Sequence, residues 1–200
     1  MIIDAAQQNI IEVGYAGLTA RKIALDIGYT VGTLYHNFKN LDDIVLHVNA
    51  RTLDDLYDAL RAACERHSEA QQRVMAIGRA YIDFAFKNRH RWNAIYDIPV
   101  YKETPVPDWY RARVTRSLEY VAIQLAPLVK EVSPQQLRKS AYVIWCGVHG
   151  MCVLSVGHKL EVPRVELGVL AEAFVKDYMA GLVLRDIDKN RAVKREEYIQ

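Results

Sequence analysis

Residues 19 to 39, Thr-Ala-Arg-Lys-Ile-Ala-Leu-Asp-Ile-Gly-Tyr-Thr-Val-Gly-Thr-Leu-Tyr-His-Asn-Phe-Lys, concentrate the chain's interpretable chemistry. The spacing predicts a short helix, a three-residue turn opened by Gly28, and a second short helix. Thr19 and Thr30 are N-cap residues for the two helices. Ile23, Ala24 and Ile27 face inward on the first, and Leu34 and Phe38 on the second. Ala24 is small where two crossing helices approach, and Gly28 takes the positive φ that so tight a turn requires. Val31, Gly32, Thr33, Tyr35 and His36 are left facing outward. Hydroxyls, an imidazole and small groups on one helix suit recognition: hydroxyls reach phosphates, and methyls meet thymine in a major groove.

Bond-making chemistry has no comparable candidate. There is no phosphate-binding Walker loop, no Gly-x-Ser-x-Gly elbow, no His-Glu-x-x-His and no dinucleotide fingerprint. His36, His47, His67, His90, His149 and His158 are scattered without ligand spacing. We therefore expect no catalytic residue, metal or cofactor. Cys64, Cys146 and Cys152 are odd in number and read as reduced thiols. A thiol-based sensor remains an alternative through Cys146 and Cys152. Six residues apart on one helix, they stand about 120° from each other and pair only between subunits.

The elements that position these residues are helical. At 51% hydrophobic and 25% charged, the 200-residue chain buries a real core. Its long segments carry three-to-four-residue apolar spacing, not strand alternation. Residues 2 to 13 place Ile3, Ala6, Ile10, Ile11 and Val13 on one face and end at Gly14 and Gly17. A long helix begins near Leu41 and runs through Ile44, Val48, Leu53, Leu56 and Leu60 to about Glu65. Further helices are expected at about 69–88, 91–97, 108–130, 134–157 and 164–186. Pro99 to Pro107 is the clearest loop, while Ser133-Pro134 and Val162-Pro163 mark helix starts. The fold class is all-α: an N-terminal three-helix helix-turn-helix domain over 1–47, an antiparallel helical bundle over 48–188, and a charged tail over 189–200.

Ser140 to Gly157 contains no formally charged residue. An 18-residue helix is about 27 Å long, barely the hydrocarbon thickness of a membrane, and a helix buried between two protein layers explains the pattern more cheaply. No membrane partner is expected. No signal peptide is visible, so the expected location is the cytoplasm. Net charge is only +2, which requires any DNA binding to be local.

The run Ile-Ala-x-x-x-Gly-Tyr-Thr-x-Gly-Thr-Leu-Tyr-His-x-Phe-Lys-Asn resembles the signature of the tetracycline-repressor (TetR) family over about residues 1 to 47. That resemblance implies a sequence-specific, DNA-binding transcriptional regulator with a recognition helix from Thr30 to Asn37. Its DNA-contact set would be Thr19, Arg21, Thr30, Val31, Gly32, Thr33, Tyr35, His36 and Lys39, with Arg21 and Lys39 on backbone phosphates. Many relatives carry a basic residue at the position of Val31, a lysine at that of Leu41, and a basic arm before the first helix. Here residues 1–50 hold three basic side chains against five acidic ones, a balance of −2, so weak non-specific affinity and a shallow salt dependence are expected.

A reader of this shape needs two-fold symmetry, so a homodimer on a near-palindromic operator is expected. The last two long helices supply the expected interface: Ile144, Val148 and Cys152 on one, Leu170, Phe174, Tyr178 and Leu182 on the other, with Gly147 and Gly150 permitting close approach. The segment Trp145-Cys-Gly-Val-His149-Gly150 resembles a Trp-(x)n-His-Gly element in the C-terminal domain of one TetR subfamily. His149 is either a core histidine bonded to a carbonyl or a contact for an effector or partner chain. The middle helices collect Tyr81, Phe84, Phe86, Trp92, Tyr96, Tyr101, Trp109 and Tyr110, where the family encloses a ligand cavity. The expected effector is a small apolar or aromatic molecule contacting Phe84, Trp92, Tyr96, Trp109, Tyr110, Trp145 and His149. Asn88-Arg89-His90-Arg91 is a basic patch that either meets an acidic ligand or is a solvated helix junction. A repressor released by ligand is the implied mechanism, and a helical ligand-binding module without DNA binding is the alternative that the sparse positive charge leaves open.

Overall fold

A computed structural model of the chain describes residues 1–98, 105–157, 159–160 and 164–197, with side chains through residue 187. The loop from Pro99 to Thr104 with Tyr101, the Val162-Pro163 start, His158 and the side chains of the expected tail lie outside the described residues. The architecture is all-α: α1 (Ile2–Val13), α2 (Ala20–Asp26), α3 (Val31–Asn37), α4 (Leu41–Cys64), α5 (Ala70–Lys87), α6 (Arg89–Asp97), α7 (Asp108–Leu125), α8 (Pro134–Val156) and α9 (Leu167–Glu197).

Three helices depart from the boundaries expected of them. α7 was expected to reach residue 130, but its α-helical part stops at Leu125 and a 3-10 turn covers Ala126–Leu128. Pro127 lies in that turn; it has no N–H to donate and its ring crowds the carbonyl four residues back. α9 begins at Leu167, not 164, because Arg164 sits in the left-handed region at φ 54. It then continues past 186 to Glu197 through a run rich in Lys, Arg and Glu, residues that favour helix without needing a buried face. α6 opens two residues early, with Asn88 as its N-cap, so the basic patch is its first turn.

The chain divides into two compact units that interleave in sequence. One comprises Met1–Tyr57 with Phe84–Val114, and the other Asp58–Asp83 with Thr115–Gln200. In the first, Ala6, Ile10, Ile23, Ala24, Leu34, Ile44, Val45 and Val48 form one core with Ala94 of α6 and its C-cap residue Ile98. A neighbouring core gathers Leu46, Leu53, Ile95 and Tyr110. Arg91, buried, donates to Asp55 at 2.5 Å and Thr52 at 3.3 Å, so α6 is pinned to α4 by charge as well as packing. Asn49 donates to the carbonyl of Ala94 at 2.7 Å across the same pair of helices.

In the second unit, α8 packs on α9. Arg79 of α5 pairs with Glu172 of α9 at 2.7 Å. The buried Asp186 carboxylate accepts from the backbone N–H groups of Lys130 and Glu131 at 2.8 Å each, tying α9 to the segment that enters α8. α8 is long and apolar enough to cross a membrane by length and composition alone. Its inward stripe, Leu137, Ser140, Ala141, Ile144, Val148 and Cys152, is buried against its own chain.

Candidate functional site

Two caps and one turn build the α2–α3 pair. The Thr19 hydroxyl accepts from Lys22 N at 3.1 Å and the Thr30 hydroxyl from Thr33 N at 3.4 Å. Between the helices, Gly28 adopts φ 72. Tyr29 N reaches Ala24 O at 2.9 Å and Gly28 N reaches Leu25 O at 3.1 Å, the paired bonds of a glycine-terminated helix end. Any side chain at Gly28 strains that turn. Asn9 of α1 holds the assembly from behind, donating to Asp26 at 2.6 Å and to Ala5 O at 2.8 Å.

On α3 this frame leaves Gly32, Tyr35 and His36 exposed, with Thr33 half-buried beside them. Tyr35 keeps 45% of its surface. Val31, expected to face outward, is half-buried against the head core, because it precedes Leu34 by three residues and Phe38 by seven on the same helix face. Thr19 and Thr30 use their oxygens as caps. Capping occupies one acceptor site of a hydroxyl, which also has a proton to donate.

Charge around this face is sparse. Lys22 is engaged by Glu12 at 3.4 Å and Asp26 at 3.8 Å, whereas Arg21 and Lys39 are exposed with no ion pair among the described residues. The N-terminus of α4 is closed by carboxylates: Asp43 accepts from Lys39 N at 3.0 Å, and its own N–H goes to Asn40 at 2.8 Å. Asp42 accepts from the Tyr15 hydroxyl at 3.1 Å, a bond that, after burial, holds the phenol above its usual range. A phosphate approaching that helix end meets two acids, so the positive clamps reduce to Arg21 and Lys39.

The aromatic residues expected to line one effector site fall into both units. Phe84, Trp92 and Tyr110 are buried side chains of the first, Tyr96 and Trp109 are partly exposed there, and Trp145 and His149 belong to the second. Trp92 and Tyr110, at 1% and 0% exposure, have no surface to offer a ligand. Around His149 a small constellation forms that the sequence did not suggest. The buried Tyr81 hydroxyl lies 2.9 Å from His149 Nδ1, and Trp145 stacks on the imidazole at 5.4 Å between ring centroids. Burial pushes the His149 imidazole below its ordinary value and favours its neutral form. Tyr81 and His149 are 68 residues apart, beyond the reach of local spacing.

Of the expected interface residues, Ile144, Val148, Cys152 and Leu182 are buried within their own chain, and Leu170, Phe174 and Tyr178 are half-buried. The opposite side of α8 carries exposed Tyr142, Val143, Cys146, Val153 and Leu154. Cys146 therefore faces out and Cys152 in, and burial raises the Cys152 thiol to about 12. Nothing in this arrangement favours a thiol sensor over a ligand sensor.

Residues 2–48 match the family described as "Bacterial regulatory proteins, tetR family", and residues 74–178 match "Tetracyclin repressor-like, C-terminal domain". An HTH-type transcriptional regulator of Mycobacterium tuberculosis is 24% identical, over 78% of this chain and 79% of that protein. The fold is shared with a protein of unknown function from Rhodococcus sp. RHA1, at a TM-score of 0.73 and 20% identity over 90% of this chain and 92% of that one. It is shared too with FadR from Bacillus subtilis, solved in complex with stearoyl-CoA, at a TM-score of 0.64 and 17% identity over 90% and 97%.

Proposed function

Because the chain belongs to the tetracycline-repressor family of transcriptional regulators, we propose that it acts in the cytoplasm as a homodimeric repressor, leaving a near-palindromic operator when a small apolar or aromatic ligand binds. The observation that carries the DNA-reading part is the exposed face of α3, with Gly32, Thr33, Tyr35 and His36 held outward on a capped, glycine-turned frame. Glycine lets the helix backbone approach the groove. Tyr35 and His36 offer hydroxyl and imidazole groups to base edges or phosphates, and Arg21 and Lys39 fix the register.

Dimerisation supplies the second half-site, about 34–36 Å away for adjacent turns of DNA. We assign it to the outer stripe of α8, Val143, Cys146, Gly150 and Val153, together with the half-buried Leu170, Phe174 and Tyr178 of α9. An exposed apolar stripe of this length calls for a partner. The effector contacts are assigned to Tyr81, Trp145 and His149, where a buried hydroxyl and a neutral imidazole lie beside an indole. Stearoyl-CoA in the FadR complex joins a long apolar chain to a polar, anionic coenzyme, which supports an effector with an apolar part for this fold. Release follows if the ligand binds better to a state whose two heads are wrongly spaced.

Replacing Tyr35 or His36 with alanine should weaken operator binding roughly 10-fold or more and leave the sedimentation of the dimer unchanged. Operator binding that survives both changes would show that α3 is not the reading helix.

A further inference from the structure

A groove in the first unit lies outside the Tyr81–His149 constellation. It has a volume of about 430 Å³ and is walled by Ile3 of α1, by His47, Ala50 and Arg51 of α4, and by Trp109 and Arg113 of α7. The floor is apolar. One wall is a π surface, since Trp109 is 36% exposed and stacks on His47 at 4.7 Å with 17° between the planes. Two guanidinium groups stand on the rim. Arg51 pairs with Asp4 at 2.6 Å and Arg113 with Asp54 at 3.2 Å, with Arg113 also 5.7 Å from the Trp109 ring centre.

We propose that this groove is a second small-molecule site and that it takes a planar aromatic carboxylate, with the ring against Trp109 and the acid between Arg51 and Arg113. Arg51 and Arg113 are each matched by an aspartate, Asp4 and Asp54, so what the groove offers a carboxylate is guanidinium N–H groups beside a π wall, not net charge. The existing ion pairs do not block it. Solvent-exposed ion pairs are weak, and a guanidinium has five N–H donors to share between two carboxylates. An aromatic ring meeting an exposed indole adds an offset-stacked or edge contact to the area it buries.

The site also has a route to the DNA-reading face. His47 is in edge contact with Phe38 at 5.5 Å, and Phe38 is the residue that closes α3. A ligand that displaces Trp109 moves the His47–Phe38 contact at the end of the reading helix.

The test is fluorine NMR on the full chain labelled with 5-fluorotryptophan, which gives three signals, from Trp92, Trp109 and Trp145; the Trp109→Phe variant assigns the one that matters. Titration with 2-naphthoate should move the Trp109 signal saturably. Neutral 2-naphthylmethanol should need at least about 10-fold more ligand, the factor expected for losing a charge-assisted bond. In the R51Q/R113Q variant the two compounds should bind alike. A static Trp109 signal, or a preference for the acid that persists in that variant, overturns the proposal. Movement of the Trp145 signal alone also overturns it, while leaving the effector reading at His149 intact.

Discussion

The ring of Phe174 lies directly on the backbone of Gly147: a methyl group built on that glycine would stand 2.3 Å from Cε1 and 2.4 Å from Cζ. Gly147→Ala should therefore destabilise the protein by about 1–3 kcal/mol, the usual cost of overpacking. At Gly168, exposed in the first turn of α9, an added methyl meets nothing within 4 Å, so Gly168→Ala should leave the fold as stable or more so, as expected for glycine replaced within a helix. Urea unfolding of the two variants separates them; equal midpoints would mean that Phe174 rotates away at little cost.

The outer stripe of α8 makes a second prediction. Val153 is about half exposed on it, and Val153→Asp should turn the dimer into a folded monomer with unchanged helical content. Analytical ultracentrifugation reads the outcome. A variant that remains dimeric at micromolar concentration would place the interface elsewhere.

Thiol reactivity checks the same surface independently. Cys64 and Cys152 are buried away from solvent, and burial pushes the Cys152 thiol up to about 12, so Cys152 presents no thiolate at pH 8. Cys146 should react quickly with a maleimide in the Val153→Asp monomer and slowly in the wild-type dimer. Fast labelling of Cys146 in both would show that this stripe is uncovered.

His149 titrates below its ordinary 6.5 because burial penalises its charged form. The stability it contributes is complete above about pH 6.5 and declines as pH falls through that value towards the lower folded one. Between pH 7.5 and 5 the wild type should lose more stability than His149→Gln, measured as unfolding midpoints. Parallel pH profiles would show that the Tyr81–His149 pair is not sensed by the fold.

The sequence was most legible where the backbone needs a particular residue. Thr19, Gly28 and Thr30 marked the caps and the turn of α2–α3, and Ser133-Pro134 marked the start of α8, because each requirement is local. Leu34 and Ile44 were readable as core from helical period alone. What was not legible depends on which of two apolar sides meets the chain's own core. Ile144 and Val143 are neighbours in sequence and similar in chemistry, yet one is buried and the other exposed, and from Ser140 onward α8 has no charged residue to tell them apart. Long-range pairings were equally hidden. Tyr81 with His149, and Trp109 with His47, join residues more than 60 positions apart, and aromatic composition announced the residues without their partners. Pro127 was the one overlooked local signal.

The central claim is that two copies of α3 read a near-palindromic DNA sequence. The measurement that tests it most directly is selection of bound duplexes from a random pool by the purified full-length protein at low salt. Enrichment of a near-palindrome with half-sites about one helical turn apart is the predicted result. No enrichment from a folded dimer would contradict it, and would mean that Arg21 and Lys39 are too few to hold this head on DNA.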